Sequence, residues 1–418
     1  VKRVTLCLRK IQRLSDAFKS VRTFYKLPYS LLPIYIIYAF ALVRPVISIC
    51  HTRNNYICIE VQNKNLKAEN TMNFKTLPIL ILASITSLFL SAQNNSEFKI
   101  VGYYPIDQAM KADTSDVPFK KLTHIMLAFV NPDSLGNFKQ DFSALTPFIK
   151  AAHTHNVKVL YSIGGGDIQG QYHKLLNGDK REALIKNLVS KVMQHNADGI
   201  DVDLEWGYSF GIQTDPNYVP FVTELARALK AKNKLTTAAL PSPLALAAIP
   251  GFPGLEIPHE ALTQFDFINI MSYDHTGPWT PDRAENHASY ADGKDDLNYY
   301  LHKLKVPKDK LVLGVPFYGH GFGPGLSDPV IPWMTYKEIV STYAGAEWVD
   351  HWHLPNGYIM YYNGIPTIQN KTKFAMKEAA GIMIWELSYD APAGKKSLLN
   401  AIYEATKTPG YSFILESK

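Results

Sequence analysis

Cysteine is scarce in this chain. Cys7, Cys50 and Cys58 are its three, and none lies beyond residue 58. The rest of the chain therefore has no disulfide and no thiolate metal site available to it. The thirteen histidines are scattered, and no H-x-x-x-H pair with a third ligand occurs, so no metal is expected. No glycine-rich phosphate loop stands out, and nothing calls for a cofactor. No clean apolar run reaches the ~20 residues of a membrane span. Basic excess is missing from most of the chain as well. Residues 1–71 hold twelve Lys/Arg against Asp16, Glu60 and Glu69, which leaves 31 basic and 34 acidic residues in 72–418. The formal charge of +6 thus belongs to the first 71 residues and gives no reason to expect a nucleic-acid partner.

At Met72 the text changes character. MNFKTLPILILASITSLFLSAQ places Lys75 before an apolar stretch from Leu77 to Leu90, followed by Ser91 and Ala92. That is the pattern of a secretory signal over 72–92, cleaved near Ala92–Gln93. Leu90 at −3 is a less favoured residue, and Gln93 stands where a lipoprotein would need Cys. The product is expected outside the cell or in the periplasm, monomeric and without a stable membrane partner. Residues 1–71 begin with Val and precede this signal, so they read as a non-native upstream segment, disordered or membrane-like. The alternative is a membrane segment at 27–43, weakened by two prolines and the following Arg44.

After residue 93 eight short apolar runs recur, with helical patterns between them. They are 99–105, 122–130, 158–166, 199–206, 235–241, 265–274, 310–319 and 381–390. REALIKNLVSKVMQHN (181–196) and VPFVTELARALKAK (219–232) carry apolar residues at helical spacing. Eight strand–helix repeats predict a single closed (β/α)8 TIM barrel over 93–407, with 408–418 as a tail. A doubly wound open sheet competes, but it usually has fewer strands.

The fourth run, GIDVDLEW, puts Asp201, Asp203 and Glu205 on alternate positions, with Ile200, Val202 and Leu204 between them. On a strand the two sets face opposite ways. In a barrel the acids point inward and the apolar set meets the helices. Like charges spaced ~6.6 Å apart and partly desolvated favour protonation of at least one, and they titrate as a set. Glu205 falls at the carboxyl end of its strand, where barrel chemistry is placed, and suits a general acid. Asp198 precedes the strand and reads as a loop-ordering residue.

Further stretches join this one. YSIGGG carries S-x-G-G at Ser162–Gly165, and MSYDHTGPW (271–279) carries M-x-Y-D and G-x-W. LVLGVPFYG and GIMIWELSYD close the seventh and eighth runs. Together, over 99–405, they resemble glycoside hydrolase family 18, the family of many chitinases. The resemblance implies substrate-assisted retaining hydrolysis of β-1,4-linked N-acetylglucosamine polymers, an exception to the two-carboxylate retaining scheme. It makes Glu205 the acid and then the base. Asp203 holds the acetamido N–H, supported by Asp201, and Tyr273 donates to the acetamido oxygen. On the substrate side it implies Trp385 as the floor of the −1 sugar, with Asp274 and Met271 beside it and Trp279 at +1. Tyr103, Phe129, Gly164 and Gly165 complete the implied lining.

Two departures stand out. Many relatives have Arg after P-F-Y-G; here His320 follows and reads as a surface residue. Only about fifteen residues separate Tyr318 from TYKEIVSTY, so no large insertion is expected after the seventh strand. A shallower groove and endo-type cutting follow from that. Exposed Trp279, Trp333, Trp348 and Trp352 favour a linear polymer over the core of an N-glycan. An endo-β-N-acetylglucosaminidase, a non-catalytic chitin-binding lectin and a membrane-anchored binding protein are the alternatives; the retained Glu205 speaks against the lectin.

Overall fold

The computed structural model describes residues 23–28, 46–51, 56–62 and 98–407, apart from 112, 167–168, 206–214, 248–256 and 326–330. Two compact units divide at Asn94/Asn95. In the first, Thr23–Pro28, Val46–His51 and Tyr56–Gln62 form a three-stranded antiparallel sheet with the last strand in the middle. The 72–92 signal, most of the 27–43 segment and the 408–418 tail lie outside the described residues. Among the described residues no helix is long and apolar enough to cross a membrane.

The second unit is the barrel. Its strands are β1 (Lys99–Pro105), β2 (His124–Ala128), β3 (Lys158–Gly164), β4 (Gly199–Asp203), β5 (Leu235–Pro241), β6 (Phe267–Met271), β7 (Leu311–Pro316) and β8 (Gly381–Trp385). They pair in parallel in chain order, and β8 returns to β1, closing the cylinder. Helices α1 (Leu145–Thr154), α2 (Gly178–Gln194), α3 (Tyr218–Lys230), α4 (Tyr290–Asn298), α5 (Ile365–Glu378) and α6 (Leu398–Lys407) lie along the chain between or after these strands.

Each helix docks by one stripe. In α3 the buried residues are Tyr218, Phe221, Val222, Leu225 and Leu229, the three-and-four spacing of a helix face. They join a large apolar cluster that also holds Ile200, Val202 and Leu204. Burying each such side chain contributes roughly 1.5–3 kcal/mol. A separate cluster fills the cylinder with Val101, Tyr103, Met126, Leu160, Ala239 and Met383. The two clusters are the two faces of the same strands.

One expectation is corrected. Between β7 and α5 the chain builds its own four-stranded antiparallel sheet from Tyr318–Phe322, Ile331–Thr335, His351–His353 and Ile359–Tyr361, with a helix at Tyr336–Thr342. TYKEIVSTY, with its Thr335/Glu338 capping box, starts a helix inside this insertion and not the barrel helix after β7. Strands of three to five residues leave little periodicity to read. The inference of a shallow groove and endo-type cutting rested on the absence of such an insertion and loses its basis.

Candidate active site

Strand β4 carries the acids as its alternation requires. Asp201 and Asp203 are buried inside the cylinder, while Ile200, Val202 and Leu204 are buried against the helices. The parallel register sets Ser162 beside Asp201 and Gly164 beside Asp203. Gly164 has φ +112°, and a Cβ there would lie 1.9 Å from the Asp203 carbonyl oxygen, so only glycine allows β3 this close to β4. Gly165 donates its N–H to that same oxygen at 2.8 Å. The two glycines therefore fix the height of Asp203, and neither lines the cavity described below.

Asp201 is held by four donors from four strands. Oδ2 accepts from the Tyr103 hydroxyl at 2.7 Å and from Ser162 Oγ at 2.8 Å. Oδ1 accepts from Thr237 Oγ1 at 2.6 Å and, more weakly, from Asn269 Nδ2 at 3.5 Å. Burial raises its carboxyl pKa, and these hydrogen bonds work in the opposite direction. Asp203, one pleat higher, is different. Burial first, then the charges of Glu205 and Asp201, push it well above the usual carboxylate range. Among the described residues its Oδ1 has no hydrogen-bond partner. A buried carboxyl in that state holds a proton or awaits a donor.

Glu205 stands just past the end of β4 and is partly buried. It lines a cavity with Ser242, Met271, Tyr273, Asp274 and Trp279. Another concavity of equal volume, ≈ 270 Å³ each, is lined by Tyr104, Lys121, Lys337 and Asp390. Volume does not choose between them. The first contains Glu205 at the mouth of the acid row, which makes it the candidate site. Tyr273 is buried there, edge-on to Tyr318 at 6.2 Å. Burial, then the charges of Asp203 and Glu205, holds its hydroxyl protonated well above the ordinary tyrosine value.

Asp274 adopts a left-handed backbone, φ 61°, which Asp tolerates better than most residues. Its Oδ1 receives the Tyr318 hydroxyl at 2.7 Å and lies 3.0 Å from His320 Nε2 and 3.2 Å from His287 Nδ1. Burial alone would raise its pKa; the hydrogen bonds and charges of the two histidines outweigh it and hold the carboxyl below its usual range. His320 is thus buried beneath the site, 4% exposed, and is not the surface residue its position suggested. The fold also gathers three donor side chains where sequence spacing gave no metal pattern: Asp274, His287 and His320 offer ligand atoms within 4.8 Å of one another.

The aromatic expectations divide. Trp385, at the end of β8, stacks on Phe129 at 5.9 Å and meets Tyr103 at 5.3 Å. Tyr103 itself is buried and serves Asp201, so it is a support inside the barrel and not part of the wall. Trp279 is 38% exposed and packs edge-on against His320. Trp333 and Trp348 are exposed, whereas Trp352 packs on Tyr343. Asp198 orders the entry to β4 as expected, accepting from Val159 N–H at 2.7 Å and contacting His153 at 2.7 Å.

Several neighbours of the site were not foreseen. Asn269 was visible as a polar residue on the inward side of FINIM. Buried Asp296 gave no signal: it reaches in from α4 to accept from Ser242 and Ser272 and to meet His275 at 3.0 Å. His287 gave none either.

A closed parallel barrel with an inward acid row ending in a glutamate at the cavity mouth defines a class of (β/α)8 proteins. The chain matches the model for glycosyl hydrolases family 18 over residues 99–390 and belongs to that family. It is similar to the crystal structure of a chitinase, ChiB, from the chitin utilization locus of Flavobacterium johnsoniae. The two are 37% identical, covering 74% of this chain and 94% of that one, with a TM-score of 0.62. A chitinase from Bacteroides thetaiotaomicron is 30% identical over 76% of this chain and 99% of its own, again with a TM-score of 0.62. A chitinase-like effector of Moniliophthora roreri is 31% identical over 273 residues, which are 59% of this chain. The chain spans 64% of that relative's length and about half to three-fifths of other curated relatives.

Proposed function

We propose that this chain is a secreted glycoside hydrolase that cleaves β-1,4-linked N-acetylglucosamine in chitin or its oligosaccharides, with retention assisted by the substrate. The observation that carries the reading is Asp203: a buried carboxyl oxygen without a partner among the described residues, one pleat below a cavity-lining glutamate. Glu205 gives its proton to the glycosidic oxygen as the bond to C1 breaks. The 2-acetamido oxygen of the same sugar attacks C1 and forms an oxazolinium ion. Asp203 accepts the acetamido N–H through its open oxygen, and its negative charge grows more favourable as the ring becomes positive. Tyr273, protonated across the working range, donates to the acetamido oxygen and orients it. Trp385 offers its face to the C–H side of the ring. Glu205, now ionised, takes a proton from the water that opens the oxazolinium.

Similarity to two chitinases at 30% identity or more supports this substrate class. The export signal read over 72–92 supports action outside the cytoplasm. Product analysis on chitin oligosaccharides beside a high-mannose glycopeptide tests the reading. Shortened oligosaccharides from the first and an intact second are expected. Glycan release with no cleavage of the oligosaccharides would overturn it.

A further inference from the structure

Asp274, His287 and His320 meet from three segments: the loop after β6, the loop before α4 and the first strand of the insertion. Their hydrogen bonds expose a conflict. His287 Nε2 lies 3.3 Å from the Tyr318 carbonyl oxygen, which can only accept, so Nε2 carries the hydrogen. His287 Nδ1 receives the Asp274 backbone N–H at 3.3 Å, so Nδ1 presents a lone pair. Yet the same Nδ1 stands 3.2 Å from Asp274 Oδ1, another acceptor. Protonating Nδ1 would satisfy the carboxylate and set two N–H groups against each other. A cation between Nδ1 and Oδ1 would satisfy both lone pairs, leaving the Asp274 N–H, whose contact with Nδ1 is long at 3.3 Å, as the one group to be met elsewhere.

We infer that Asp274 Oδ1, His287 Nδ1 and His320 Nε2 form a binding site for a divalent transition-metal ion of the zinc type, on the wall of the cleft. Nitrogen and carboxylate ligands about 2.1 Å from zinc stand about 3.4 Å apart at the tetrahedral angle. Two edges of the triangle, 3.2 and 3.0 Å, are already near that value. The His287 Nε2–H bond to a backbone carbonyl is the outer support that orients a ligating imidazole. Both histidine side chains are buried, at 0% and 5% exposure, while that of Asp274 is 39% exposed. The ligand set is closed on the protein side and open toward the cavity, where a fourth position can hold water. Asp274 lines the same cavity as Glu205, so a bound ion blocks saccharide entry; this consequence rests on the proposed function, whereas the ion site does not.

The test titrates Zn²⁺ alone into the full chain calorimetrically, with cysteines alkylated to remove Cys7, Cys50 and Cys58 as ligands. One saturable site is expected, and Co²⁺ in its place should give the visible absorption of a tetrahedral centre. His320→Gln and Asp274→Asn should each weaken the site by about tenfold or more, measured at a temperature where each variant is folded in chelator. His287→Gln and His320→Gln alter buried positions, so each is compared with the parent only where circular dichroism shows it folded, and Asp274→Asn tests the half-exposed ligand. Absence of saturable Zn²⁺ binding, or binding undiminished in His320→Gln, would overturn the proposal. If Zn²⁺ binds as expected but leaves oligosaccharide hydrolysis uninhibited, the ion site stands and the reading of the cleft fails.

Discussion

Asp203 and Asp274 both sit at the carboxyl ends of barrel strands, β4 and β6, and both belong to the neighbourhood of Glu205. Their surroundings are built on opposite rules. Around Asp203 stand burial and two more acids, so its charged form is opposed from every side. Around Asp274 stand two imidazoles and a tyrosine hydroxyl, so its charged form is held in place. The surroundings raise the pKa of one carboxyl and lower that of the other; in the proposed reaction the first gains and loses charge while the second stays a fixed negative post. Side-chain type alone does not distinguish them, because the same aspartate serves both roles. The neighbours decide.

The sharpest way to break this contrast is to remove the group the acid row serves. Glu205→Gln should lower kcat by about 10²–10⁴-fold while leaving oligosaccharide binding by calorimetry nearly intact; a variant retaining activity removes the assignment. Next, Asp203→Asn should cost about 10²-fold in kcat, and Asp274→Asn only about tenfold through looser positioning. Equal losses in steady-state kinetics would erase the distinction between the two acids. Asp201→Asn removes a charge that raises the Asp203 pKa, so the carboxyl titration of Asp203, followed by carbon NMR, should move to lower pH. An unmoved titration would show that the row is not electrically linked.

The smallest effect sharpens the contrast from the opposite end of the barrel. His124 is buried at the start of β2, and burial, with the charges of Lys158 and Lys99, lowers its pKa to about 3. Its folded value lies below the unfolded one of about 6.5. The unfolded chain therefore takes up a proton first, and stability present above pH 6.5 is lost as pH falls toward 3. Between pH 7 and 5 this amounts to about 2 kcal/mol at most. His124→Gln should make the unfolding temperature less sensitive to pH across that interval by a few degrees. A parallel pH dependence in both proteins would contradict it.

Much of this was legible in the sequence, for a definable reason. Asp201, Asp203 and Glu205 alternate with Ile200, Val202 and Leu204, and a period of two leaves one arrangement once the outer face must meet helices. The eight strands and the helices α2 and α3 were readable on the same grounds. What escaped depends on long-range meetings. The insertion's strands are too short for a period to show, and its capped helix imitates a barrel helix. His287 and Asp296 come to the site from α4 and the loop before it, with nothing local to mark them. His320 looked like a surface residue because only the folded sheet sets it behind Asp274.

The proposed catalysis turns on an acid row that works with the substrate's own acetamido group. The most direct measurement compares hydrolysis rates on chitopentaose and on its fully de-N-acetylated counterpart under the same conditions. A substrate-assisted mechanism predicts rapid cleavage of the first and essentially none of the second. Comparable rates on both would mean that a group on the protein, and not the sugar's acetamido oxygen, forms the bond to C1.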